Sequence, residues 1–300
     1  MNPRSRRAAT GRWRPIIEQT LAGRFAPEFL YPDSAGAIAA TARALAEDGC
    51  PAIVVGGGDG TINCVVNAIA GCETALGVLP LGTGNDLARF MRIPLDLQAA
   101  AERIITGQAR RIDLLDVNGR QFCTVGGLGL VSESGLTVSR AKSGHPLMAR
   151  TLHVLGTRVY SLAGAANILL CRDVVRHLRV QYFDSGEGQT REITGLFHGL
   201  FAANQPNLGG GLQLPIASDN ADGAFELCLL TAGTRTRLLT TLVLVSGGRS
   251  APPGVLQTCR VLSATIESDR DETFFGDGEW LADGRSFRVQ VVAGGLAVIC

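Results

Sequence analysis

The chain has 300 residues, which allows one large domain or two ordinary ones, and an apolar fraction of 46% is ample for a packed core. A formal net charge of +1 provides no strongly basic surface, so nucleic acid is not an indicated partner. No apolar run reaches the roughly 18 to 20 residues that a membrane-spanning helix needs, so we expect no transmembrane segment.

The N-terminal segment is rich in arginine but lacks the apolar core of a signal peptide. The eight cysteines are scattered and include no C-x-x-C pair, so we expect reduced thiols in a cytosolic protein rather than a zinc site. Residues 1–7 read as a loop, although an α/β nucleotide-binding domain ordinarily opens with a strand. A late start of translation and a displaced start are both open interpretations.

Strand-like and helix-like stretches alternate up to about residue 107. Such alternation predicts a parallel sheet with helices on both faces. Helices are predicted at residues 13–21, 35–47 and 62–70, and strands at residues 52–55 and 76–79.

The pattern changes after Arg110, where many runs alternate apolar and polar residues as half-buried antiparallel strands do. The chain therefore splits near Gln108 into an α/β half, residues 1–108, and a mostly β half, residues 109–300. The sequence leaves open whether the last strands return to the first half. Two helical stretches, residues 148–166 and 234–245, have apolar faces suited to core packing or to a membrane surface. The predicted strands are residues 112–117, 121–125, 175–183, 195–203, 224–230, 261–268 and 287–299.

A glycine-rich turn, G-G-G-D-G-T at residues 56–61, follows the first predicted strand. Glycines let phosphate oxygens approach backbone N–H groups, and the following helix adds a favourable dipole. Asp59 in such a turn would repel phosphate unless a cation such as Mg²⁺ mediates. A plain strand-to-helix turn with Asp59 as the N-cap explains the same residues equally well.

A second turn of the same kind, L-G-T-G-N-D at residues 81–86, follows the next strand. The hydroxyl of Thr83 suits a phosphate contact, and Asp86 supplies another carboxylate, although Asn85 or Asp86 also suits a helix cap. Neighbouring parallel strands end on the same edge of a sheet, where ligands bind. The pair of turns therefore indicates a nucleotide site more specifically than either turn alone.

These two turns together resemble the diacylglycerol kinase catalytic domain family, which includes bacterial lipid kinases and is related to sphingosine and ceramide kinases. The resemblance extends along nearly the whole chain and implies the NAD kinase/diacylglycerol kinase-like fold. In that fold a three-layer α/β/α nucleotide-binding domain, here residues 1–108, is followed by a β-sandwich domain that accepts the lipid, here residues 109–300. Further matching elements, in the family's order, are Asn2-Pro3-x-Ser5, Arg111-Ile112-Asp113-Leu114, Ala203-Asn204, Gly209-Gly210-Gly211, Asp222-Gly223-Ala224-Phe225 and Asp277-Gly278-Glu279.

The resemblance implies that ATP is the phosphoryl donor and lies over the first turn, against the second turn and against the N-terminal loop. The nucleotide contacts that it implies are Asn2, Ser5, Gly57, Gly58, Asp59, Gly60, Thr61, Asn63, Gly82, Thr83, Gly84 and Asn85.

The resemblance also implies a catalytic Mg²⁺ within a network of three carboxylates, those of Asp59, Asp86 and Asp113. Oxygen ligands of this type are the ones Mg²⁺ prefers. Asp113 lies in a strand-like run, so an ion pair with Arg110 or Arg111 is the alternative explanation for it.

In some bacterial members of the family a second, structural Mg²⁺ is bound at positions that match Asp219, Asp222 and the carbonyl of Ala224. The sequence from Asp219 to Gly223 also suits an ordinary hairpin turn with no metal.

The carboxylates of Asp277 and Glu279 match the family pair from which the base that deprotonates the lipid hydroxyl is drawn. Phosphoryl transfer needs a group that accepts the alcohol proton, as well as positioning and neutralisation of charge, to which Asp59 would contribute. Asp277-Gly278 is also a common hairpin turn, so the catalytic role is implied by the resemblance and not by the spacing.

The predicted function is an ATP-dependent lipid kinase. An NAD kinase shares G-G-D-G-T and is one alternative, although the run G-T-G-N-D-L-A-R argues against it. A nucleotide-binding protein without catalysis is the other, because Arg6 and Cys64 stand where the family usually has glycine and glutamate. The expected partners are a lipid alcohol, a membrane surface at the inner face contacted transiently and, as an open option, a second copy of the chain.

Overall fold

The computed structural model describes residues 13–22, 27–82, 84–130, 132–133, 165–169, 175–209, 212–214, 216–246 and 249–300. The chain divides into two compact units, one formed by Met1–Asp113 with Gly294–Cys300 and the other by Leu114–Ala293. The predicted helix at residues 148–166 lies almost wholly outside the described residues.

The first unit contains the predicted alternation of strands and helices. Helix α1 packs on α5, and α2 packs on α3. Ser34 caps α2 through a hydrogen bond from the Ala37 N–H, and Asp96 caps α5 in the same way through Ala99. The elements are α1 (Trp13–Leu21), α2 (Ala35–Glu47), β1 (Ala52–Gly57), α3 (Asp59–Ile69), β2 (Ala75–Pro80), α4 (Asp86–Phe90), α5 (Leu97–Thr106) and the beginning of β3 (Ala109–Val117).

The sheet of the first unit is parallel where the sequence predicts it. Strand β1 pairs with β2 from Ala52 opposite Ala75 to Gly57 opposite Pro80. The end of the last strand, β12 (Glu279–Ile299), lies on the other side of β2 and is also parallel to it. All six residues of β2 are buried, as expected for a strand covered on both faces.

The second unit is mainly antiparallel, and its core is formed by apolar side chains that alternate along the strands, among them Phe122, Phe225, Phe274 and Phe287. Helix α6 (Arg235–Ser246) packs through Leu238 into a smaller cluster, which supports the core-packing interpretation of its apolar face. The strands are the remainder of β3, β4 (Arg120–Phe122), β5 (Val125–Gly129), β6 (Arg176–Asp184), β7 (Thr190–Ala203), β8 (Asn207–Gly209), β9 (Leu212–Gln213), β10 (Phe225–Thr231), β11 (Leu256–Gly276) and most of β12.

Several predicted bounds are wrong. The strand predicted at residues 121–125 is interrupted between β4 and β5, and β7 and β12 begin five and eight residues before their predicted starts at residues 195 and 287. Strand β11 is 21 residues long, whereas the sequence predicted residues 261–268. The polar residues 269–272 interrupt the alternation of apolar and polar residues, so the pattern does not predict the second half of β11. The register with β12 shifts between Glu267 and Glu272, which marks an irregularity of the bulge type. Helix α3 begins at Asp59 and not at residue 62, because the Gly58 carbonyl already accepts hydrogen bonds from the N–H groups of Thr61 and Ile62.

No helix in the described part of the chain is long and apolar enough to cross a membrane.

Candidate nucleotide site and acidic turn

The first glycine-rich turn joins β1 directly to α3. Gly58 occupies the N-cap position in an extended conformation, with φ of −103°. A Cβ placed on Gly57 would lie 2.7 Å from the Cβ of Thr61, so the turn leaves no room for a side chain there. Thr61 and Asn63 are buried in the first turns of α3. The interpretation of Asp59 as the N-cap of its own helix is therefore wrong.

The second turn joins β2 to α4 and is held by the amide of Asn85. This residue has a φ of 52°, in the left-handed region that asparagine tolerates better than most residues. Its Oδ1 accepts a hydrogen bond from the Gly82 N–H at 3.0 Å, and its Nδ2 donates to the Gly82 carbonyl at 3.1 Å. The side chain of Asn85 therefore closes the loop on itself. The predicted contact Thr83 lies outside the described residues, as do Asn2 and Ser5.

The two turns contact each other directly. The Leu81 N–H donates to the Gly57 carbonyl at 3.0 Å. The carboxylate of Asp59 accepts hydrogen bonds from the backbone N–H groups of Asn85 at 3.0 Å and Asp86 at 2.9 Å. Asp59 thus accepts from two backbone N–H groups at the N-terminus of α4 from the other loop, where a negative charge also suits the helix dipole.

Two of the predicted magnesium ligands lie near each other in this arrangement. A Cβ placed on Gly84 would be 2.6 Å from Oδ2 of Asp59 and 3.4 Å from Oδ2 of Asp86, so both carboxylates flank that glycine. Mg²⁺ is commonly held by one or two carboxylates together with nucleotide phosphates and water. Two neighbouring carboxylates are a donor set of the type that Mg²⁺ takes, and the role of Asp59 and Asp86 at the metal stays a prediction.

The third predicted ligand, Asp113, is buried on β3. Its Oδ1 accepts a hydrogen bond from the Gly294 N–H at 2.8 Å, and its neighbour Arg111 pairs with Glu73. Within the described ranges, no group of three or more His, Cys, Asp or Glu residues is placed to share a metal ion. A role for Asp113 at the metal therefore stays a prediction.

The contact between the two turns gives a test of the site. Gly82→Ala would put a Cβ 2.5 Å from the Gly58 α-carbon and 2.8 Å from Oδ1 of Asn85, so one loop must move. Overpacking of this kind costs about 1–3 kcal/mol. We expect the Kd for ATP, measured by isothermal titration calorimetry, to rise about tenfold or more.

The matched control for that prediction is Gly36→Ala in α2, where a Cβ would meet nothing within 4 Å. Alanine also favours a helix over glycine, so this variant should bind ATP as the wild type does. An unchanged Kd in Gly82→Ala would contradict the close approach of the two turns.

The second unit contains the acidic turn, Asp277-Gly278, which links β11 to β12. Both residues have positive φ, 52° and 79°, as a two-residue hairpin of the primed type requires. The predicted hairpin turn is therefore confirmed. The carboxylate of Asp277 accepts hydrogen bonds from Cys123 and Thr124, whereas Glu279 is exposed at the first position of β12.

The predicted structural-metal residues lie just before β10. Oδ1 of Asp222 accepts a hydrogen bond from the Ala224 N–H at 3.1 Å, and Oδ2 pairs with the guanidinium of Arg260 at 2.7 Å. Asp219 is exposed and Ala224 is buried. The bond within the turn and the ion pair account for Asp222 without a metal, so the second Mg²⁺ stays a prediction.

The sequence did not single out Cys123 and Thr124. They lie between β4 and β5, some 150 residues before Asp277, and neither belongs to a glycine-rich or acidic motif. Asn204, whose Nδ2 donates to the Cys123 carbonyl at 3.1 Å, belongs only to one of the elements that match the family. Spacing along the chain carries no signal for contacts of this range.

Comparison with known families covers most of the chain. The family described as the diacylglycerol kinase catalytic domain matches residues 1–117. The family described as the YegS C-terminal NAD kinase beta sandwich-like domain matches residues 155–300. These matches confirm the predicted fold class, an α/β nucleotide-binding domain followed by a β-sandwich.

Individual relatives carry related names. A diacylglycerol kinase of Bacillus subtilis is 36% identical over 186 residues, which is 59% of this chain and 54% of the Bacillus protein. A Pseudomonas aeruginosa protein named probable lipid kinase YegS-like is 32% identical over 265 residues, covering 86% of this chain and 80% of the relative. A crystal structure of a diacylglycerol kinase from Bacillus anthracis covers 99% of this chain and 94% of its own, with a TM-score of 0.77 at 20% identity, which bears on the fold alone.

Proposed function

This chain belongs to the diacylglycerol kinase catalytic domain family, and from that membership we propose that it transfers the γ-phosphoryl group of ATP to the hydroxyl group of a lipid. Diacylglycerol, a related glycerolipid or a long-chain base is the proposed acceptor. The observation that carries the proposal is the pair of glycine-rich turns joined by the carboxylate of Asp59.

The chemistry of phosphoryl transfer explains why such a pair of turns is useful. The γ-phosphoryl group must be held in line with the attacking oxygen, and its charge must be neutralised. Backbone N–H groups of a glycine turn and the N-terminus of α3 favour phosphate oxygens. Bound Mg²⁺ would supply the charge neutralisation, with Asp59 and Asp86 holding it. Because the Asp59 carboxylate also accepts hydrogen bonds from the N–H groups of Asn85 and Asp86, it holds the second turn against the first.

In the proposed reaction the lipid hydroxyl oxygen attacks the γ-phosphorus, and the bond from that phosphorus to the bridging oxygen breaks. ADP leaves with the electrons of that bond. We assign the hydroxyl proton to the carboxylate of Glu279, which is exposed at the beginning of β12. The carboxylate of Asp277 already accepts four hydrogen bonds from Cys123 and Thr124, so a further proton would displace a donor.

Replacement of the proposed base gives the next prediction. Glu279→Gln keeps the shape of the side chain but cannot accept the proton, and general bases typically contribute a factor of about 100 to 10,000. We expect kcat for lipid phosphorylation to fall by roughly that factor, with the KM for ATP nearly unchanged. Steady-state kinetics with radiolabelled ATP measures both.

The control is Glu267→Gln. Glu267 is an exposed carboxylate on the same hairpin, and it lies 3.8 Å from the guanidinium of Arg179. The variant should retain the wild-type kcat. If Glu279→Gln lost no more activity than Glu267→Gln, the assignment of the base would be wrong while the kinase activity itself would stand.

The activity is tested with a panel of lipid alcohols presented in vesicles or mixed micelles, together with NAD as an acceptor. A vesicle substrate matches a cytoplasmic enzyme that contacts a membrane surface transiently. Phosphorylation of a lipid supports the proposal, and phosphorylation of NAD alone would replace it with the NAD kinase alternative. ATP binding without turnover on any acceptor would favour a nucleotide-binding protein that has no catalytic activity.

A further inference from the structure

The carboxylate of Asp277 is held by a two-residue segment, Cys123-Thr124, to which we give the name carboxylate clamp. Oδ1 accepts hydrogen bonds from the Thr124 N–H at 2.8 Å and from the Thr124 hydroxyl at 2.6 Å. Oδ2 accepts from the Cys123 N–H at 3.0 Å and from its thiol at 3.3 Å. An ionised carboxylate offers about four acceptor sites, so the clamp occupies essentially all of them.

The clamp is itself braced by a buried asparagine. Nδ2 of Asn204 donates to the Cys123 carbonyl at 3.1 Å, and the Asn204 N–H donates to the Thr124 carbonyl at 2.9 Å. Asn204 is fully buried, and Cys123 and Thr124 are 2% and 7% exposed. Contacts sheltered from water in this way are stronger than the same contacts at the surface.

The backbone of the turn is also tied to the sheet. The Asp277 N–H donates to the Val125 carbonyl at 3.2 Å, and β5 begins at Val125. Strand β5 pairs with β7 and with the last residues of β11. The turn is therefore attached through its backbone to β5, a strand that has partners on two sides, and through its side chain to the two residues that precede β5.

This attachment bears on Glu279, which follows Asp277 after a single glycine. Asp-Gly suits the positive φ of a primed hairpin turn, so the backbone conformation of the turn is favoured locally. The side-chain bonds of Asp277 fix where that turn lies against Cys123 and Thr124, and with it the direction in which the backbone leaves the turn. The geometry of the first residue of β12 depends on that direction.

We propose that Thr124 is a positioning residue of the phosphoryl-transfer reaction, acting through the carboxylate of Asp277 to orient the turn from which Glu279 projects. This inference rests on the proposed function. A positioning error of about 1 Å in a catalytic group can cost as much as 100-fold in rate, so a hydrogen bond remote from the reacting atoms has a kinetic effect. A purely structural role for the same bond would lower stability and leave the rate per folded molecule unchanged.

The experiment compares two substitutions at one position. Thr124→Val has nearly the same shape and removes the hydroxyl, and Thr124→Ser keeps the hydroxyl and removes a methyl group. The kcat for the lipid, the KM for ATP and the Tm are measured for each. We expect kcat to fall about tenfold or more in Thr124→Val and to stay within about threefold of wild type in Thr124→Ser, with the KM for ATP within about twofold in both.

The matched control is Thr273→Val on the same hairpin, where the Thr273 hydroxyl donates to Oδ1 of Asp283 at 2.7 Å in an exposed position. It removes the same type of bond and should leave kcat unchanged. Equal kcat losses in Thr124→Val and Thr124→Ser would overturn the inference. So would a Thr124→Val protein that unfolds at lower temperature but turns over normally per folded molecule.

The wild-type protein separates this inference from the function on which it rests. If the wild type phosphorylated a lipid and Thr124→Val had the same kcat, only the positioning role of Thr124 would be wrong. Absence of turnover by the wild type on every lipid would remove the proposed function and the positioning role together.

Discussion

Replacing Asp59 with alanine is expected to reduce lipid phosphorylation by a factor of about 100 or more, a loss typical of removing one group that stabilises developing charge. The carboxylate is the acceptor for the backbone N–H groups of Asn85 and Asp86, and it flanks Gly84 together with the carboxylate of Asp86. Its removal loosens the contact between the two turns and, under the proposed function, takes away a ligand proposed for nucleotide-bound Mg²⁺. Initial rates at varied ATP and Mg²⁺ concentrations measure the loss.

The control is Asp96→Ala, which removes another carboxylate that caps a helix of the same unit. Loss of such a cap costs about 1 kcal/mol of stability and should leave the rate unchanged. Activity above a tenth of the wild-type value in Asp59→Ala would show that the carboxylate is dispensable at the site. The two variants together separate a general loss of stability from a loss of chemistry.

The largest expected effect on stability is at Arg176 in the second unit. Its side chain is 3% exposed and forms an ion pair at 2.7 Å with Glu272, whose side chain is 5% exposed. The guanidinium also pairs with Glu133 and donates a hydrogen bond to the carbonyl of His198. Removing one partner of a buried ion pair costs about 3–5 kcal/mol, because the remaining charge stays buried. Arg270 also donates to Glu272, so we expect Arg176→Met to lie near the lower end of that range.

Hydrogen exchange of the β6 and β7 amides, with urea denaturation as a second measurement, quantifies this loss. Arg179→Ala on the same strand is the control, because Arg179 is 51% exposed and pairs with Glu192 at the surface. Exposed pairs contribute about 0–1 kcal/mol. If the two variants unfolded with the same free energy, the buried ion pair would not support the second unit.

The acidic turn shows how far local sequence reaches. Asp277-Gly278 is a strong hairpin signal because both positions must adopt positive φ, and the structure contains that hairpin. The pattern does not show that Thr124, some 150 residues earlier, donates two hydrogen bonds to the Asp277 carboxylate. The family resemblance implies both acidic residues as candidates for the base. Only the structure shows that the Asp277 carboxylate accepts four hydrogen bonds and that Glu279 is exposed.

The two glycine-rich turns show the same division. Their glycines, their position after apolar strands and their order along the chain predicted the parallel sheet, the family and the class of ligand. These are local features, since a strand, a turn and a helix N-terminus are set by residues a few positions apart. The contacts of Asp59 are not local. Its carboxylate accepts a hydrogen bond from the first residue of α4, 27 residues later, although Asp59 itself begins α3.

The sequence by itself therefore determined the fold class, the family and the type of chemistry, because periodicity, turn residues and motifs are properties of short segments of the chain. The tertiary structure alone decided which donors hold each carboxylate. Asp59 is bound by the second turn, Asp277 by Thr124, and Glu272 by Arg176, which lies 96 residues away. Partners at such separations are selected by the packing of strands and helices, and no spacing along the chain records them.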